Sequence, residues 1–270
     1  MAEASEGIKP QATTGEAPVL MTVQNRVAEL MFNRPASFNT LSEQTLECLL
    51  SHLDIIAAEP EIAVVVIAAQ GKAFCTGHDM KEMHSNREQG FYERLLEKCS
   101  TMMQRITQLP QPVIAEVQGI ATAAGCQLAA TCDLAVAADT ATFATSGINN
   151  GLFCATPGVA LGRAVSRKHA LEMLFTGDFI SAERAAEIGL INHAVPAQML
   201  REKTRELAAK IASKSRYAIR LGKHSYYRQI NEPLAAAYRS ASADLVNNLM
   251  SNDGKEGVDA FVEKRPPKWE

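Results

Sequence analysis

No basic block, no long apolar run and no paired-cysteine spacing occurs in this sequence, and each lack closes a class of function. Lysines and arginines number 27 against 30 acidic residues, scattered to a formal net charge of −3. Nucleic acid and anionic membrane are therefore excluded as main partners. The longest apolar runs, residues 63–69 and the stretch 128–138 that Asp133 breaks, fall well short of the ~20 residues a bilayer-spanning helix needs. No membrane insertion is expected. The cysteines, at positions 48, 75, 99, 126, 132 and 154, never form a CxxC pair, which argues against zinc and for reduced, mostly buried thiols in a cytosol-like compartment. Residues 1–18 lack both the apolar core of a secretory signal and the Arg-rich, acid-poor character of a transit peptide. They read as a disordered tail and the protein as cytoplasmic, or as a mitochondrial-matrix protein if the chain is a trimmed eukaryotic form.

What is present is a hydrophobic content of 47% over 270 residues, enough for one large domain or a domain with an appendage. Apolar segments 19–23 and 27–32 around Gln24-Asn25-Arg26 read as a hairpin. Ser42 reads as the N-cap of a helix over 45–58 that stops before Pro60. The β-branched run 63–69 is the mark of a strand buried on both faces. A turn over 71–79, a polar and mobile stretch over 81–90, a helix over 91–109, a strand over 113–117, a second turn over 119–125, a helix from near 124 and a strand over 134–138 follow. Strand, crossover and strand repeated in this way argue for parallel strands with helices outside. Beyond Val159 the pattern is helical (167–176, 182–188, 196–212, 217–224, 233–250 and 254–263), apart from a short strand near 192–195. The expected organisation is a tail over 1–18, a core over 19–195 and a helical region over 196–270 for lid and subunit contacts. Arg201, Lys203, Arg205 and Lys210 read as the solvated face of an amphipathic helix; Asp133 and Asp139 read as caps and turn residues.

Two small-residue turns carry the chemistry. Lys72-Ala-Phe-Cys-Thr-Gly-His-Asp79 and Gly119-Ile-Ala-Thr-Ala-Ala-Gly-Cys-Gln127 each join a strand-like to a helix-like run. Turns of this kind aim backbone N–H groups into a cleft, where they can hold an oxygen that becomes negative during reaction. Together with Arg34-Pro-Ala-Ser-Phe-Asn-Thr-Leu41, Pro112-Val-Ile-Ala-Glu-Val-Gln118, Cys132-Asp-Leu134, Phe175-Thr-Gly177, Ala185 with Gly189-Leu-Ile191, and Phe261-Val-Glu-Lys-Arg265, they resemble the crotonase superfamily, the enoyl-CoA hydratase/isomerase group. The likeness runs from about residue 19 to 265.

That resemblance implies an α/β fold, a spiral of ββα repeats closed by a helical C-terminal trimerisation region, assembled as a homotrimer or a dimer of trimers. It implies an acyl-CoA thioester ligand, with coenzyme A as part of the substrate and no separate cofactor or metal. Matched residue by residue, the oxyanion N–H donors fall on His78 and Ala124. The adenine end of the ligand falls near Ala36, Phe74 and Lys81, with Phe261 and Lys264 reaching the CoA of a neighbouring subunit.

The chain departs from the pattern where it matters most. Hydratases of this family use two glutamates, and the corresponding positions are Gln127 and Gly147. Neither carries a titratable group, and general acid–base help is commonly worth ~10²–10⁴ in rate. Hydration by the usual route is therefore not expected, although thioester polarisation is. His78 offers a side chain beside its own N–H, as in the Gly-His-Asp turn of family decarboxylases, or is a hydrogen-bonded turn residue. His84 and Glu82 either approach the acyl pocket or lie on a solvated loop. Cys154 is a thiol acid or nucleophile, or simply core packing. Asn149 and Asn150 can hydrogen-bond a substrate but not shuttle protons. Gln127 is a pocket anchor or a satisfied helix-start amide. An enzyme acting on an acyl-CoA through an enolate (a hydratase or isomerase by the family default, a decarboxylase or thioester hydrolase as a variant) and a non-catalytic acyl-CoA binding protein both fit these residues; a purely structural trimer gains little support, because both turns are intact.

Overall fold

A computed structural model describes residues 17–269; the tail expected over 1–18 lies almost wholly outside them. β1 (Val19–Gln24) and β2 (Val27–Phe32) pair antiparallel. Asn25 and Arg26 between them both take positive φ, 51° and 65°, as a two-residue turn matched to the strand twist requires. Helix α1 (Glu43–Ala58) starts where expected, with the Ser42 hydroxyl accepting the Thr45 N–H at 3.2 Å, and buries Leu46, Leu49, Leu53 and Ile56 along one face. Three repeats follow. The first is β3 (Val64–Ala69) and β4 (Ala73–Cys75) with α2 (Met80–Ser85) and α3 (Gln89–Gln108). The second is β5 (Val113–Val117) and β6 (Ile120–Thr122) with α4 (Ala124–Thr131). The third is β7 (Leu134–Ala138) and β8 (Thr142–Ala144) with α5 (Ala155–Ala164) and α6 (Arg167–Thr176). β9 (Ile180–Ser181), α7 (Ala182–Glu187) and β10 (His193–Val195) complete the strands. The helices α8 (Leu200–Ala212), α9 (Arg216–Gln229), α10 (Leu234–Met250) and α11 (Asn252–Glu263) end the described chain.

The first strand of each repeat enters one sheet, ordered β1-β2-β3-β5-β7-β10, and the second strand enters another, ordered β4-β6-β8-β9. From β2 onward the larger sheet is parallel. In the smaller sheet only β8 and β9 run antiparallel. This is the spiral of ββα repeats, with helices at the C-terminal end.

The continuous apolar run of β3 is explained by burial on both faces. Val65 and Ile67 enter the main core, while Val64, Val66 and Ala68 join Ile114, Val136, Leu200, Ala208 and Ala212 in a second cluster under α8. Each such Val, Leu or Ile contributes roughly 1.5–3 kcal/mol by leaving water.

Three expectations need correction. The stretch 81–90 is not a loop: Asp79 caps α2, its Oδ1 accepting the Lys81 and Glu82 N–H groups at 2.9 and 3.1 Å, and α3 already begins at Gln89. Arg201 does not lie on a solvated face; it reaches across the sheet to Glu29 and, at 3.0 Å, to the buried Glu116. Asp133 is more than a turn residue. Its carboxylate accepts the Val113 N–H (2.7 Å), Lys223 Nζ (2.6 Å) and the Tyr227 hydroxyl (2.8 Å), pinning α9 to the strand ends.

Candidate functional site

The turn after β4 and the turn after β6 press against each other. A Cβ built on Gly77, whose φ is +87°, would sit 2.9 Å from the Ala123 Cβ and 3.1 Å from the Ala124 nitrogen. Gly125 packs so tightly behind the second turn that a Cβ there would fall 1.9 Å from the Cys75 carbonyl oxygen. The side-chain-free contact is what lets one turn lie on the other. Ala123 between them takes φ 51°, ψ −121°, a conformation costing an L-residue on the order of 1–3 kcal/mol. Its N–H bond to the Ala144 carbonyl, 3.0 Å, helps hold it there.

That strained residue swings Ala124 into the first position of α4, where an N–H has no carbonyl one turn back. The His78 N–H likewise meets no acceptor among the described residues, although its neighbour Gly77 accepts the Leu41 N–H at 2.8 Å. Two free backbone donors on touching turns can together hold one oxygen that gains negative charge.

Side chains at this junction are also left open. Gln127 is 5% exposed and its Oε1 has no partner; His78 Nε2 is buried without one as well. Burial lowers the His78 pKa, so its imidazole is neutral at pH 7. Gln127 also forms part of the wall of a cleft of about 930 Å³ between α3, α5 and α9.

Gly147 sits in a 3-10 turn, Ser146–Asn150, tied to the donor turn by a 2.8 Å contact between the Ser146 and Thr122 hydroxyls. It is closed off from carrying a side chain. A Cβ there would stand 2.7 Å from the Leu152 carbonyl oxygen and 2.8 Å from Cys154 Sγ. The Cys154 thiol, 8% exposed, is pushed up in pKa by burial and partly drawn back by the Gly147 N–H. Neighbouring Cys126, fully buried in α4, is pushed up to about 12 by burial and, to a lesser degree, by Cys154.

The remaining sequence-based candidates divide. Phe74 is fully buried with its ring edge-on to Phe32 at 6.2 Å, so only its main chain can meet a ligand. Ala36 and Lys81 are exposed. His84 is exposed on α2, while Glu82 accepts the Glu43 N–H at the start of α1, at 3.2 and 3.4 Å. The Asn149 amide lies by Gly177, its Oδ1 2.9 Å from where a Cβ of that glycine would be. Phe261 lies in α11 and Lys264 caps its C-terminus, and α11 packs on α9 and α10. Small alanines at 121, 123 and 124 read from sequence as structural, but the Thr122–Ser146 link and the strain at Ala123 do not show there; both depend on contacts between repeats more than 20 residues apart.

An enoyl-CoA hydratase/isomerase family model matches residues 22–270. The mitochondrial enoyl-CoA hydratase domain-containing protein 3 of Rattus norvegicus is 46% identical over 246 residues, 91% of this chain and 82% of that one. A crystal structure of an enoyl-CoA hydratase from Mycobacterium smegmatis superposes with a TM-score of 0.93 at 48% identity, covering 94% of this chain and 99% of the other. The crystal structure of human enoyl-CoA hydratase domain-containing protein 3 gives a TM-score of 0.91 at 45% identity over 93% of this chain and all of that one, 100%. With the two-sheet spiral and the paired turns, these matches make the chain a member of the enoyl-CoA hydratase/isomerase (crotonase) family.

Proposed function

We propose that this protein binds an acyl-CoA thioester and polarises its carbonyl, with the His78 and Ala124 N–H groups holding the oxygen. The observation that carries this reading is the pair of unsatisfied donors on touching turns, held open by Gly77, Gly125 and the strained Ala123. Polarisation moves charge onto the oxygen and stabilises an enolate; a single donor of this kind typically contributes about 3 kcal/mol in the transition state. Ala36, Lys81 and the Phe74 main chain are assigned to the nucleotide end, and Phe261 and Lys264 to the CoA of a neighbouring copy. Residues 19–195 carry the site and 196–270 the lid and subunit contacts. The assembly is a homotrimer or a dimer of trimers. The rat relative is a mitochondrial protein, which makes a mitochondrial location the alternative to a cytoplasmic one.

Two-glutamate hydration is not part of this reading. Gln127 cannot exchange a proton near neutral pH, and the backbone closed over Gly147 leaves no room for a carboxylate side chain. That closure also supports a second reading, a non-catalytic acyl-CoA binding protein. Calorimetry with butyryl-CoA tests the shared claim: saturable binding that is lost with free butyrate is expected. Absence of binding for any acyl-CoA from two to sixteen carbons (about the usual biological range) would exclude both readings.

A further inference from the structure

We propose that the cleft between α3, α5 and α9 takes the tail of the acyl group and selects a chain that ends in a carboxylate, with Arg163 as the counter-charge. The inference rests on the reading that the thioester oxygen lies on the His78 and Ala124 N–H groups. Helix α4 supplies the connection. Ala124 opens that helix, and Gln127, Ala130 and Thr131 further along it belong to the wall of the cleft. Residues three apart on a helix are surface neighbours, with Cβ atoms about 5–6 Å from each other. Gln127 therefore follows the Ala124 donor on one stripe of α4, and Thr131 follows Gln127. A chain that leaves the held carbonyl along this stripe runs into the cleft.

Space and an open polar group both point to an occupant. The volume of about 930 Å³ is that of a small-molecule site. Met103, Leu109, Leu190 and Ile191 give it apolar surface, and Val159 on α5 is left exposed along it. Gln127 is 5% exposed and its Oε1 has no partner; a buried amide oxygen left in this way is completed by a ligand or by water bound with it. Charge then decides the chemistry of the tail. Asp133 is the one carboxylate among the described lining residues, and it is already taken by Lys223 Nζ (2.6 Å) and the Tyr227 hydroxyl (2.8 Å). Three arginines line the same cleft. Arg228 is paired with Asp244, and Arg220 donates to the Pro60 carbonyl at 3.1 Å. Arg163 gives one N–H to the Val159 carbonyl of its own helix, 3.0 Å, and meets no carboxylate among the described residues. Its helix, α5, packs on α4. A guanidinium with most of its N–H donors open is the group whose geometry fits a carboxylate.

The test is calorimetry of octanoyl-CoA against suberyl-CoA, chains of equal length of which only the second ends in a carboxylate, for the wild type, Arg163→Gln and Arg163→Glu. Arg163 is exposed, so both variants should melt as the wild type does. The wild type is expected to bind suberyl-CoA about tenfold more tightly than octanoyl-CoA at low salt, with a preference that shrinks as salt is raised. Arg163→Gln should bring the ratio of the two affinities to about one, and Arg163→Glu should reverse it. Equal affinities in the wild type, or a preference for suberyl-CoA that survives in Arg163→Glu, overturn the proposal and leave the thioester reading standing. Free suberate that binds the octanoyl-CoA complex as well as it binds the free protein would show a site separate from the acyl tail, and overturns it too. No binding of either acyl-CoA overturns both.

Discussion

Gly147 is the residue on which the case against two-glutamate hydration turns, and its environment says more than its identity. A carboxylate restored there would have to push aside the Leu152 main chain and the Cys154 sulfur, 2.7 and 2.8 Å from its Cβ. Gln127→Glu with Gly147→Glu is therefore expected to lose about 1–3 kcal/mol of stability to overpacking and to gain no hydration of crotonyl-CoA, checked by denaturant titration and by loss of enoyl absorbance. Appearance of efficient hydration would mean that the loop opens readily. His78 gives a second prediction at this scale. Burial depresses its folded-state pKa, so the unfolded chain takes up the proton first as the solution is acidified. Relative to His78→Gln, wild-type stability should be full above about pH 6.5 and decline as pH falls from there toward the lowered folded-state value. Parallel stability curves for the two proteins would contradict the buried neutral imidazole. The missing carboxylates at 127 and 147 were legible in the sequence because a family pattern fixed where they belonged. The closure over Gly147 was not, since it depends on where the chain from Leu152 to Cys154 returns.

Among the elements, α9 is held to the strand ends by one buried cluster. Lys223, its side chain 6% exposed, donates to Asp133 and to the Ile106 and Gln111 carbonyls at 2.9 and 3.0 Å. Desolvation lowers its pKa although Asp133 opposes the shift. Lys223→Met removes one partner of a buried pair and should cost about 3–5 kcal/mol, with α9 amides the first to lose hydrogen-exchange protection. A loss below about 1 kcal/mol would place the pair among exposed ones. Helix α1 and strands β3, β5 and β7 were readable because their apolar periods run for five residues or more. Strands β4, β6 and β8 span three residues each, too short for alternation to show, so that β4 and β6 merged into turns and β8 drew no reading. Helix α2 was hidden by its polar surface; its only strong sequence signal is Asp79 at the cap. For Asp133 the sequence offered a cap, because the charge that claims it lies 90 residues away.

Across the whole molecule, the C-terminal helices expose an apolar face. Tyr238, Leu245 and Leu249 follow one another at helical spacing on α10, and Met250 and Phe261 are 66% and 85% exposed. A patch of this kind on a folded chain marks a contact surface. Light scattering after size exclusion should give a trimer or a multiple of it, and Leu245→Asp with Met250→Asp should shift it toward monomer and weaken butyryl-CoA binding, as expected if Phe261 and Lys264 serve a neighbouring copy. A wild-type monomer with full affinity would remove that role. The parallel pairing was foreseeable from the repeat of strand and crossover, and the helical ending from the pattern beyond Val159; which face of α10 stays bare was not, because it depends on what α9 covers.

The central claim is that two backbone donors polarise a thioester carbonyl, and the carbonyl itself reports it. Infrared difference spectra of butyryl-CoA labelled with ¹³C at the carbonyl should show the bound C=O stretch shifted to lower frequency than in water. Ala124→Pro, which removes one donor and sets a ring carbon in the oxygen's place, should abolish that shift in protein that melts as a folded chain. A bound carbonyl at its free-solution frequency in the wild type, or an unchanged shift in folded Ala124→Pro, would contradict the account.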